Sequence, residues 1–129
     1  LRALPDGGSE TVLVVEDEVT VRQTLVYMLQ KLGYRVLQAE NGKVALKVAL
    51  ENRQELRLLV TDVVMPEMGG KALADIVKSM LPHVRIIMAS GYPRSHLATH
   101  WNLAEDIKVL QKPFTITSLS EMVREVLDS

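Results

Sequence analysis

The chain has 129 residues, 47% apolar and 24% charged, with a formal net charge of −1 and no cysteine. That is enough for one sizeable core in a globular protein, and too little for two. Near-neutral charge gives no reason to expect nucleic acid or an anionic membrane as partner. The lack of thiols excludes disulfide, zinc-thiolate and cysteine-nucleophile chemistry and fits a reducing cytosol.

The opening LRALPDGGSE lacks an initiator Met and carries Pro, Gly and Ser. Residues 1–9 therefore read as a linker or tag-derived tail before a domain at 10–129, with excision from a longer protein the preferred reading. Gly7-Gly8 lacks the lysine and hydroxyl that a phosphate-binding loop needs. Apolar, β-branched runs follow at 11–15, 35–39, 56–61, 84–89 and 107–110. Between the first two, Val21, Leu25, Met28, Leu29 and Leu32 form a helical stripe, which Gly33 stops as a left-handed cap. Asn41-Gly42 introduces a second helix, marked by Val44, Leu46, Val48 and Leu50. A third runs from Ala72 to Leu81, where Pro82 ends it. A fourth, near 95–103, has the weakest periodicity. The fifth carries Leu119, Met122, Val123, Val126 and Leu127, with Ser118 and Glu121 spaced as a capping box. No apolar stretch approaches the roughly 20 residues of a membrane span, and no signal peptide opens the chain.

Strands alternating with helices argue for a parallel sheet covered on both faces. VLVV, LLV and RIIMA are apolar without alternation, as central strands buried on both sides should be. In such sheets ligands collect beyond the carboxyl ends of the strands. Those ends carry Glu16-Asp17-Glu18, Asp62, Ser90-Gly91 and Lys112-Pro113. Two carboxylates about 4 Å apart repel by roughly 4 kcal/mol at an effective dielectric of ~20, so the cluster needs a cation or raised pKa values. A magnesium ion suits it, because Mg²⁺ takes one or two carboxylates, keeps waters and leaves room for phosphate oxygens. Asp62 facing a metal-bound phosphoryl group can attack it and become an aspartyl phosphate. Lys112 and the Ser90 hydroxyl would neutralise and hold the remaining oxygens.

These motifs together resemble the receiver domains of two-component response regulators, over about residues 10–128. VLVVEDE resembles the family's first strand and acidic pocket, VTDVVMPEMGG its phosphoacceptor strand and loop, IIMASG its hydroxyl strand and LQKPF its lysine strand. The resemblance implies a three-layer, doubly wound, flavodoxin-like (βα)5 fold, with a five-stranded parallel sheet in the order 2-1-3-4-5. It implies that Asp62 is the phosphoacceptor and that Asp17 and Asp62 bind Mg²⁺ directly. Glu16 would act through a metal-bound water, and the Val64 main-chain carbonyl would be a further ligand. Ser90 and Lys112 contact the phosphoryl group, and the Lys112-Pro113 bond is cis.

The partner would be a histidine kinase or histidine phosphotransfer domain, docked on the first helix at Thr20, Thr24 and Tyr27; a plain solvent face is the competing reading of that stripe. The family's aromatic switch residue falls at Val109, so its way of moving with Ser90 is missing here. The stretch ASGYPRSHLATHWNLAEDIKVLQKPF further resembles receivers fused behind sensor histidine kinases, which implies a cytoplasmic domain in a parent that can be membrane-anchored. A stand-alone response regulator is one alternative, and a phosphorylation-independent interaction module on the same fold is another. An aspartyl phosphatase would place its nucleophile after the first strand, whereas Asp62 follows the third. Glu18 reads as a charge at the first helix's N-terminus. His83, His96 and His100 show no convincing mutual ligand spacing and read as surface residues. Tyr92 and Trp101 either cover the fourth helix or mark a contact surface.

Overall fold

The computed structural model describes residues 5–104 and 106–129, so the first four residues of the expected tail lie outside the described residues. The chain alternates β1 (Thr11–Val15), α1 (Val19–Lys31), β2 (Arg35–Ala39), α2 (Gly42–Glu51), β3 (Leu56–Asp62), α3 (Gly70–Met80), β4 (Arg85–Ser90), α4 (Arg94–His100), β5 (Lys108–Gln111) and α5 (Ile116–Asp128). All strands are parallel and ordered β2-β1-β3-β4-β5, as the family resemblance implies.

The two-sided burial of the central strands explains their unbroken apolar runs. Leu13, Val15, Leu59, Ile86 and Met88 face a core shared with α2, α3 and α4 through Ala45, Ala49, Leu73, Val77 and Leu97. Their neighbours Val12, Val14, Leu58, Val60 and Ile87 face the other core, with Leu25 and Leu29 of α1 and Leu119, Val123 and Val126 of α5. Successive side chains of a strand point to opposite faces, so both sets of positions in these strands run apolar, with Thr11, Thr61 and Ser90 their buried polar residues. Helix α1 stops as expected: Gly33 has φ 98°, and its N–H bonds the Gln30 carbonyl while Tyr34 N–H bonds that of Leu29. That is the paired closure of a left-handed cap.

Three details differ from the sequence reading. On α2 the buried residues are Gly42, Ala45 and Ala49, while Val44 and Leu50 are exposed. Leu46 and Val48 are half-buried against the core as the pattern suggests, and the helix start lies close to Met68, whose Sδ would stand 2.7 Å from a Cβ on Gly42. Helix α4 ends at His100, short of the expected 103, and buries only Leu97. The capping box of α5 is Thr115 with Ser118, not Ser118 with Glu121. Thr115 Oγ1 accepts the Ser118 N–H and Ser118 Oγ accepts the Thr115 N–H, so the orphan donors are satisfied one turn earlier.

Residues 5–10 lie along α5 and the end of α1. Gly8 N–H donates to the Leu32 carbonyl at 3.1 Å, and Ser120 Oγ donates to the Asp6 carbonyl. A Cβ on Gly7 would stand 1.8 Å from the Leu32 oxygen, which leaves room only for glycine. Arg124 closes the strap with two bonds to Glu10, at 2.9 and 3.0 Å. The hydrogen bond to Arg124 holds the Glu10 carboxyl below its ordinary value. A depressed carboxylate stabilises the fold above about pH 4.3 and loses that effect as pH falls through the lowered value. Arg124→Met is therefore expected to lower stability at pH 7 by about 1 kcal/mol, the size of a partly exposed but bidentate pair. Thermal unfolding should show a drop of roughly 3 °C that shrinks toward pH 3. A drop of equal size at both pH values would assign the effect to packing instead.

Candidate functional site

Parallel register brings the chemistry-bearing residues to one rim. Val15 pairs with Thr61, Asp62 with Ala89, and Ser90 with Gln111. Glu16 and Asp17 follow β1 directly and Lys112 follows β5, so strand length alone delivers all of them to the carboxyl edge. Carboxylate oxygens of Glu16, Asp17 and Asp62 lie within 4.8 Å of one another. Lys112 Nζ reaches Glu16 Oε1 at 2.7 Å and Asp62 Oδ1 at 3.5 Å. The Lys112-Pro113 bond is cis. Glu18 is the N-cap residue of α1, without a side-chain capping bond.

Three carboxylates facing one ammonium leave uncompensated negative charge. Glu16 is only 2% exposed, yet its contact with Lys112 and the Glu18 N–H donated to its Oε2 keep it supplied with partners. Burial pushes the Lys112 ammonium down, but the Glu16 hydrogen bond and the charges of Asp62 and Glu16 outweigh it and raise the group above its ordinary value. Asp17 is pushed above the usual aspartate range, first by a hydrogen bond with the Glu16 carboxyl, then by burial and by Glu16's charge.

A carboxyl raised on folding favours the fold below the ordinary value of about 4 and loses that contribution as pH rises through the raised one. Ionised Asp17 thus strains the metal-free domain at neutral pH. Asp17→Asn should raise the melting temperature in EDTA at pH 7, by a small amount because the group is exposed, and the gap should vanish near pH 3. In excess MgCl2 the ranking should narrow or reverse, because the variant loses a ligand. A variant that melts below the native chain in EDTA at pH 7 would show that Asp17 is not strained.

The donor set suits a hard divalent cation: it is entirely oxygen, and Asp17 is exposed where waters can complete the shell. Gly70 sets the geometry on the Asp62 side. A Cβ there would stand 2.1 Å from the Asp62 carbonyl oxygen, and the Gly70 N–H donates to Val63 O at 2.8 Å. The end of β3 and the start of α3 therefore touch backbone to backbone, and Val64 is left on the exposed turn between them.

Ser90 is buried, its Oγ accepting the Tyr92 N–H at 2.9 Å, and its carbonyl takes the Lys112 N–H at 2.8 Å. A second lone pair and the hydroxyl proton stay available for a ligand. Val109 is half-buried against the α2/α3/α4 core. Thr20 and Thr24 are exposed and line a shallow groove with Val21, Lys112, Pro113 and Phe114, of about 390 Å³. Tyr27 is 60% exposed, outside that groove, with Lys31 Nζ 5.7 Å from its ring centroid.

Two supporting residues escaped the sequence reading. Arg22 Nη1 donates to the Glu16 carbonyl at 2.7 Å and holds the turn that aims the acids. Gln111 Nε2 donates to the Tyr92 carbonyl at 3.0 Å, tying β5 to the loop after Ser90. Arg22 falls one helical turn after Glu18, a spacing that could have flagged it. Gln111 carries no such signal.

A doubly wound α/β domain with an acid–lysine rim beyond its parallel strands is the class these features define. The profile of the response regulator receiver domain matches residues 12–124, and the chain belongs to that family. It is 42% identical over 124 residues to the sensor kinase CckA of Brucella abortus (strain 2308), covering 95% of this chain and 13% of that protein. It is also 34% identical over 116 residues to the response regulator receiver protein CpdR of the same organism, covering 90% of this chain and 95% of that one. Among solved structures, the receiver domain of the hybrid histidine kinase CckA matches with a TM-score of 0.75 and 33% identity, covering 89% and 96% of the two chains. The response regulator TrrA of Thermotoga maritima, in complex with Mg²⁺-BeF, matches with a TM-score of 0.78 and 29% identity, covering 90% of this chain and 97% of that one. The chain thus spans about an eighth of one relative and nearly all of another. Among the described residues, no helix is long and apolar enough to cross a membrane.

Proposed function

We propose that this receiver domain accepts a phosphoryl group from a phosphohistidine onto Asp62, with Mg²⁺ required, and later loses it to water. The observation that carries the reading is the convergence of Glu16, Asp17 and Asp62 with Lys112 at 2.7 Å and 3.5 Å from two of them. An Asp62 carboxylate oxygen forms the new O–P bond as the donor's N–P bond breaks, and the imidazole leaves with the electron pair. Lys112 offers its ammonium to one phosphoryl oxygen and the Ser90 hydroxyl donates to another. Glu16 holds the lysine in place until the phosphoryl group competes for it. Asp17, Asp62 and the Val64 carbonyl would hold the ion, with Glu16 acting through a water. When bound, Mg²⁺ neutralises phosphoryl oxygen charge. The Mg²⁺-BeF complex of TrrA supports that assignment by analogy.

The donor would be a histidine kinase or a histidine phosphotransfer domain. The groove beside Lys112 supports docking at Thr20 and Thr24, since a helix laid there would bring its phosphohistidine to Asp62. The parent is read as a hybrid sensor kinase, on the strength of the likeness to CckA. With valine at 109, the output is phosphate relay, phosphate drainage or local regulation of that kinase.

Incubation with MgCl2 and acetyl phosphate, followed by intact mass, tests the reading. One added phosphoryl mass per chain, lost in EDTA, is expected. No mass gain under conditions that phosphorylate a known receiver would favour a phosphorylation-independent interaction module.

A further inference from the structure

Helix α4 turns two histidines that look unrelated in the sequence into a pair. Residues four apart on a helix share a face, and the His96 and His100 rings stack with centroids 4.1 Å apart and planes 17° apart. Tyr92 extends the column, its ring 4.7 Å from that of His96. His100 Nδ1 lies 3.3 Å from the His96 carbonyl. A carbonyl oxygen can only accept, so the contact places the His100 proton on Nδ1 and leaves the Nε2 lone pair free. Imidazole ligands are typically oriented in this way, with the second ring nitrogen donating to a backbone carbonyl.

We propose that His96 and His100 form a two-imidazole site for a divalent first-row transition ion, separate from the oxygen-lined rim. Neutral imidazole suits copper, nickel and zinc, whereas magnesium prefers oxygen, so the two sites sort different metals. An ion with bonds of about 2.0–2.1 Å in tetrahedral geometry needs its nitrogens roughly 3.4 Å apart. The stacked rings hold their in-plane lone pairs in nearly parallel planes, so binding needs both side chains to rotate out of the stack until the two Nε2 lone pairs converge on the ion. Waters complete the shell, since among the described residues the acidic rim is the one group of three or more carboxylates and imidazoles close enough to share an ion. Bridging one turn would brace a helix of seven residues, a length that cannot hold itself together in water. The column starts at Tyr92, whose N–H rests on Ser90 Oγ at 2.9 Å, so the stacked rings run from the loop that carries the site hydroxyl onto α4.

The chain has a single tryptophan, Trp101, which directly follows His100 and is 38% exposed. That makes it a local reporter for a quenching ion. CuCl2 is titrated into the whole chain in saturating MgCl2 while tryptophan emission is read. A saturable, one-to-one quench is expected, with an apparent affinity at least tenfold weaker in His96→Gln and in His100→Gln. His83→Gln, whose ring contacts the Arg53 carbonyl elsewhere, should leave it unchanged. Both paired histidines are surface residues, so either variant should fold. A quench that does not saturate, or that either paired-histidine variant leaves intact, overturns the proposal. The readout needs no phosphorylation, so its failure would not touch the phosphoacceptor reading.

Discussion

Asp62→Asn is expected to take up no phosphoryl group from acetyl phosphate in MgCl2, a loss of at least about 10³-fold against the native chain. Asparagine has nearly the same shape, so the end of β3 and its contact with Gly70 should survive. The amide oxygen lacks the negative charge and lone-pair reactivity that attack on phosphorus requires. The same change removes one of three mutually repelling carboxylates. The metal-free variant should therefore unfold at a temperature equal to or above that of the native chain. This pairing separates loss of chemistry from loss of fold. Intact mass reads the first and thermal unfolding the second. A variant that still gains one phosphoryl mass would move the acceptor to another carboxylate, with Asp17 the first to examine.

The sheet and the rim were legible in the sequence because both follow from local pattern. A strand buried on two faces runs apolar without alternation, so Leu58, Leu59 and Val60 announce their place before any contact is known. Asp62 breaks that run at a strand end, where a carboxylate can reach water and a cation. Helix α2 was legible only in part, since Leu46 and Val48 pack on the core but its fully buried positions are small. Ala45 and Ala49 face the core, while the larger Val44 and Leu50, which carry the apolar signal, point outward. The strap at residues 5–10 was hidden for a related reason. Gly7 and Gly8 read as flexible until the backbone of Leu32 is placed against them. Arg124 lies far along the chain from Glu10, and nothing local links the two. Distant pairing also concealed Arg22 and Gln111, whose partners are backbone carbonyls with no sequence signature. His96 and His100 already fell four apart on the fourth helix expected near 95–103, and the stacking of their rings is what the structure adds.

Lys112→Ala should damage both chemistry and stability, and the two effects should separate with pH and metal. Lys112 bridges Glu16 and Asp62, and removing a preorganised charge from a transferring phosphoryl group typically slows reaction by on the order of 10²–10³-fold. Phosphorylation by acetyl phosphate should fall by that amount while Mg²⁺ binding persists or tightens. The fold loses the partner of a carboxylate that is 2% exposed. Breaking a buried ion pair costs about 3–5 kcal/mol, and the 24% of the lysine side chain left in water reduces that here to roughly 2–3 kcal/mol. Because its ammonium is raised above the ordinary lysine value, the native pair contributes fully below about pH 10.4 and fails only as pH climbs through the raised value. The stability gap should therefore hold across neutral pH and close only as pH climbs above about 10.4, through the raised lysine value. MgCl2 should recover more of it in the variant than in the native chain, since the ion then faces the charge the lysine used to meet. Lys112→Arg sharpens the test, because it keeps the charge but replaces a compact ammonium with a planar fork. Stability should largely return with arginine and phosphoryl transfer should not. Should arginine restore both, Lys112 serves the site only as a generic positive charge.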